Sequence, residues 1–145
     1  MQRTWPTLSD VARNVAAALT EDDIDWAIRF LCDGVGRLEH AAEAGQLNEA
    51  VARPPSTGSV QWDTLLAAAI AWKLRAMGQP VPAWAAEVGA LKLPWTPMWV
   101  SYGKWNRDLA GTPPEWRALN IVWHERNLWT KVEAATVLGL SRSRR

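Results

Sequence analysis

Residues 60–77 read VQWDTLLAAAIAWKLRAM. Ala, Leu, Lys, Arg and Met dominate this stretch, all good helix formers, and neither proline nor glycine breaks it. Trp62, Leu65, Leu66, Ala69, Ile70 and Leu74 recur at spacings of three and four, which places them on one helix face, and Trp72 widens that face. Gly78 stands where a left-handed residue closes a helix, and Pro80 bars further turns. The stretch therefore predicts a long helix. With the helical patterns on either side, it predicts an all-α chain forming a single compact helical domain over residues 1–140.

Upstream, Thr7 caps a first helix, with Asp10 close to the capping-box pattern and Leu8, Val11, Ala12, Val15, Ala16 and Leu19 on one face. Thr20 is the expected cap of a second helix, whose first turn is crowded by Glu21, Asp22 and Asp23, where the helix dipole favours negative charge. Ile24, Ala27, Ile28, Leu31, Val35 and Leu38 keep helical phase through Gly34 and Gly36, glycines that mark a close helix contact or a weak centre. Gly45 ends or bends this helix, and Leu47 to Ala52 add a short turn. Residues 1–52 thus read as an acidic helical hairpin. The run RPPSTGS at 53–59 is loop chemistry, and a loop within one domain is the expected reading.

Downstream, residues 60–140 form the Trp-rich helical part. Seven of the eleven tryptophans, Trp84, Trp95, Trp99, Trp105, Trp116, Trp123 and Trp129, lie between Pro80 and Trp129. Pro82 is expected to start a short helix carrying Trp84, Val88 and Leu91, after which Pro94, Pro97 and Gly103 enforce turns. Short helices are predicted near Trp105 to Leu109 and, capped by Thr112 and Pro113, over Glu115 to Leu119. Ile121 to Trp123 is at most one short strand, helical character resumes from Glu125 to Leu138, and SRSRR at 141–145 is a disordered basic tail.

The formal net charge is +1, too small for a chain whose first business is binding phosphates. Its distribution is polar: residues 1–53 carry nine acids and five bases, and residues 54–145 carry six acids and eleven bases. Cys32 is the only cysteine, which excludes an internal disulfide and suits a reducing, cytoplasmic compartment. The N-terminus lacks an export signal's apolar core, and the longest apolar run, Leu65 to Trp72, is too short to span a membrane.

No catalytic or metal motif emerges. His40 and His124 are far apart in sequence, and neither HExxH nor CxxC occurs, so no metal or cofactor is expected. Asp108, His124 and Glu125 form at most one polar site, without a nameable nucleophile and oxyanion donors. A helix-turn-helix over 7–31 has the right length, but its recognition helix would meet DNA with Glu21, Asp22 and Asp23, which repel phosphates. The tryptophans, with Arg75, Lys104, Arg107, Arg117 and Arg126 nearby, fit either a base-stacking surface or a packed core. Core packing is expected for Trp62, Trp84, Trp95 and Trp123, whereas Trp99, Trp105 and Trp129 have polar or turn-forming neighbours and are candidate interface residues.

Residues 54–67 read PPSTGSVQWDTLLA and residues 78–84 read GQPVPAW. This resembles an uncharacterised family of small helical bacterial proteins with the pattern PPxTGxxxWDxLLAA, a long helix, and GxPVPxW. Leu93-Pro94-Trp95 and the segment PEWRALNIVWHERNL at 114–128 resemble its later parts, so about half the chain, 54–132, takes part. Where the family carries an Arg-rich run, this chain has Trp116-Arg117-Ala118-Leu119-Asn120. The resemblance implies a genomic setting beside nucleotidyltransferase-like or DNA-binding proteins, similar to toxin–antitoxin pairs. The expectation is a non-enzymatic protein that binds a partner protein, antitoxin-like, through Glu21, Asp22, Asp23, Asp25, Trp99, Trp105, Arg107 and Trp129. Nucleotide or nucleic-acid stacking is the alternative, and self-association is left open.

Overall fold

The computed structural model describes residues 5–98 and 102–128. In chain order the helices are α1 (Leu8–Thr20), α2 (Ile24–Gly36), α3 (Leu38–Glu43), α4 (Leu47–Ala50), α5 (Val60–Ala76), α6 (Ala83–Ala86), α7 (Tyr102–Ala110) and α8 (Pro114–Arg117), followed by a 3₁₀ turn at Glu125–Leu128. The fold is all-α. Extended pairing among the described residues is one parallel bridge between Trp95 and Ile121, which is what the β-prone run at 121–123 becomes. No described helix is long and apolar enough to cross a membrane.

Helix α5 is the axis. Eleven of its seventeen residues are buried, so it is enclosed on more sides than the single apolar face read from the sequence. Thr64, Ala67, Ala68, Ala71 and Lys73 make up the difference, and the small alanine side chains let neighbours approach the helix closely. Ser59 caps its start by accepting from the Trp62 N–H at 3.3 Å, and Gly78 closes its end at φ +73°. One hydrophobic core joins α5 to α1, α2 and α3 before the 53–59 loop and to Trp116, Ile121 and Trp123 after it. The loop itself is fastened by Asp63, whose carboxylate accepts from Ser56 Oγ at 2.5 Å and from Thr57 N and Thr57 Oγ1, both at 2.7 Å.

Helices α1 and α2 pack as a hairpin. The capping box at α1 is present: Thr7 N donates to Asp10 Oδ2 at 3.0 Å, and Asp10 N donates to Thr7 Oγ1 at 3.2 Å. Gly34 is the contact point, since a methyl group there would lie 2.4 Å from Val11 Cγ2. Leu38 does not continue α2. The chain bends at Arg37, giving a separate α3 that is tied to α5 by Lys73 Nζ and Glu39 Oε2, 3.5 Å apart.

The Trp-rich part is held by backbone hydrogen bonds between short pieces. Trp95 N donates to Asn120 O at 2.9 Å and Val122 N to Trp95 O at 2.8 Å, while Leu91 N donates to Leu119 O at 3.0 Å. Asn120, in the left-handed region at φ 66°, adds its own side-chain bond to Leu91 O at 2.6 Å. Trp116 is fully buried, and its indole N–H reaches the Ala68 carbonyl of α5 at 3.2 Å. Its ring lies 5.9 Å from Trp72 and 6.2 Å from Trp123 between centroids, while Trp62 and Trp95 form a separate edge-to-face pair at 5.8 Å.

Several boundaries differ from those read in the sequence. Pro82 is the residue before α6 rather than its first, and α6 stops at Ala86, leaving Val88 and Leu91 outside it. Thr112 does not cap α8. Its hydroxyl donates to the Asp108 carbonyl and accepts from the Trp123 N–H at 3.0 Å, so Pro113 takes the flanking position and Pro114 opens the helix. The helix expected from Glu125 is a 3₁₀ turn to Leu128, and the rest of that expectation, with the 141–145 tail, lies outside the described residues.

Candidate functional site

The acidic residues singled out in the sequence converge at the corner between α1 and α2. Here the chain reverses through a left-handed residue: Asp22 has φ 58°, its N–H returns to Leu19 O at 3.0 Å, and the Asp23 N–H returns to Ala18 O at 2.8 Å. This closure explains why Thr20 is not the cap of α2. Helix α1 runs through Thr20, whose hydroxyl donates back to Ala16 O at 3.0 Å, and the cap falls to Asp23, which accepts from the Trp26 N–H at 3.2 Å. Glu21, Asp22 and Asp25 are exposed and Asp23 is half-buried. Four carboxylates are thereby gathered on one turn, with Asp23 committed to the helix end.

The residue that sequence reasoning passed over is Trp26, 49 % exposed beside this corner. Its ring sits 5.4 Å from Phe30 between centroids, and the Arg29 guanidinium lies 5.3 Å from its centroid. The signal was available: Ile24, Ala27, Ile28 and Leu31 define the apolar face of α2, and Trp26 falls between those positions. An indole off the buried face of a helix has no core to enter.

Trp105 and Arg107 lie on α7, half-buried and exposed respectively. Helix α7 adjoins α2 across a cleft of about 210 Å³ lined by Ile28, Lys104 and Asp108. No hydrogen bond, ion pair or ring contact among the described residues joins Trp105 or Arg107 to the four acids. Trp99 and Trp129 lie outside the described residues. Trp62, Trp116 and Trp123 are buried, and Trp84 and Trp95 are partly buried against the core. These five rings therefore serve packing, as expected for the four of them named from the sequence.

The polar site considered around Asp108 does not assemble. Asp108 is buried, with Lys104 Nζ 3.2 Å away, and makes no hydrogen bond to His124 or Glu125. His124 lies over Gly111 and accepts from the Arg126 N–H through Nδ1 at 3.1 Å. Among the described residues no group of three or more His, Cys, Asp or Glu side chains is placed to hold a metal ion.

Fold and site together define an all-α protein built on a central buried helix, with an acidic, aromatic corner on its surface. Comparison of the chain with protein-family models, curated proteins and solved structures returns no match.

Proposed function

We propose that this chain is a non-enzymatic partner-binding protein that docks a basic protein surface on the α1–α2 corner, with Trp26 as its aromatic anchor. The observation that carries the reading is the 49 % exposure of Trp26 beside Glu21, Asp22, Asp23 and Asp25. Half-exposed tryptophans are the side chains that gain most when a partner covers them, and surrounding carboxylates steer a basic partner into register. The resemblance at residues 54–132 makes the proposed partner a nucleotidyltransferase-type toxin, with this chain as its antitoxin-like neutraliser. Trp105 and Arg107, on the helix adjoining α2, extend the proposed contact.

Co-expression and pull-down with the product of the adjacent gene tests the proposal. A complex at micromolar concentration is expected, weakened about tenfold or more by Trp26→Ala and showing a salt-dependent association rate that Glu21→Lys with Asp25→Lys abolishes. No complex at that concentration, or affinity indifferent to both changes, overturns the reading.

A further inference from the structure

A second concave feature stands apart from the acidic corner. A cleft of about 350 Å³ opens between the 53–59 loop, the first half of α5 and α6. Leu66, Ala67, Trp84 and Val88 form its apolar wall, and Arg53 and Asp63 are its charged lining. Both sides are fixed before any ligand arrives. The Trp84 indole N–H is anchored on Val51 O at 3.0 Å, and Asp63 holds the loop through its bonds to Ser56 and Thr57. A preformed cleft of this size, mostly apolar with a few fixed polar groups, has the properties of a small-molecule site, and little ordering opposes binding.

The charges select the ligand. Arg53 is exposed and makes no hydrogen bond or ion pair among the described residues, so its planar fork is available to a carboxylate. Asp63 already accepts three hydrogen bonds, which offset its charge in part, yet it still disfavours a dianion such as a phosphate monoester. A cation would meet the exposed Arg53 in the same lining. We infer that the cleft binds a small monocarboxylate with a flat apolar body, its carboxylate on Arg53 and its body against Trp84, Leu66 and Val88.

The test is a titration of the ¹⁵N-labelled full chain with phenylacetate and, separately, with its neutral amide, phenylacetamide, followed by amide and indole N–H resonances. Saturable shifts confined to residues lining the cleft are expected for phenylacetate, with the amide at least about tenfold weaker. Arg53→Gln should weaken phenylacetate by about tenfold, and Arg53→Lys by less, because a point charge replaces the fork. The amide comparison needs no variant, so it reads the proposal even where a substitution disturbs folding. Absence of saturable shifts at millimolar ligand, equal binding of acid and amide, shifts centred elsewhere, or binding unaffected by Arg53→Gln each overturn it.

Discussion

At Gly34 two opposing residue-scale effects meet. Replacing a helical glycine by alanine gains up to about 1 kcal/mol in propensity, but the added methyl would stand 2.4 Å from Val11 Cγ2, on a stiff, β-branched side chain that is itself buried. Overpacking of this kind costs about 1–3 kcal/mol, so Gly34→Ala should lower stability on balance. In denaturant titrations, Val11→Ala combined with Gly34→Ala should show a favourable coupling, each change easing the other; strictly additive effects would mean that the two helices do not meet there. The sequence left Gly34 and Gly36 as marks of either a close helix contact or a weak helix centre, and Gly34 is the contact. The periodicity of the 13-residue α2 leaves Trp26 off its apolar face, whereas Trp116 sits in the four-residue α8, too short for spacing to place it. In the structure Trp116 donates to a carbonyl of α5 in the core, whereas Trp26 stays half-exposed against Phe30 and Arg29.

Among the elements, the long and strongly periodic ones were legible and the short ones only in outline. Helix α5 and the capping box of α1 follow from residues within a few positions of one another, which is why sequence spacing places them. The α2 cap shifted from Thr20 to Asp23 because α1 closes through a left-handed Asp22, a conformation usually given to glycine and absent from any local pattern. Thr112 shows the same limit. It looked like a cap because Pro113 follows it, yet its hydroxyl joins the end of α7 to Trp123, eleven residues on. Thr112→Val keeps the shape, removes both hydrogen bonds and strands a buried N–H, so a loss of about 1–3 kcal/mol is expected in chemical denaturation. Thr112→Ser should stay near the parent, and equal midpoints for Val and Ser would show that the hydroxyl is idle.

For the whole molecule, the charge division seen in the sequence survives in three dimensions at its acidic pole, where four carboxylates share the α1–α2 turn. The candidate site was half legible for that reason. Helix-start acids cluster by local spacing, whereas bringing Arg53 and Trp84 to one cleft depends on how the loop and α6 lie against α5 and has no local signature. The two surfaces make separable predictions: charge reversal at Glu21 and Asp25 should leave carboxylate binding at Arg53 unchanged, measured by the same titration.

The bonds that join Trp95 to Asn120 and Val122 tie together segments twenty-five or more residues apart, across a stretch of short helices and turns. Such pairings form only after a long loop has closed, whereas α1 and α2 meet across a three-residue turn. Folding should therefore start at the α1–α2 hairpin, with α5 and the pairings of the tryptophan-rich part added after longer loops have closed. Native-state hydrogen exchange should find the Trp95 and Val122 amides exchanging together, through one sub-global opening of lower free energy than the amides of α5.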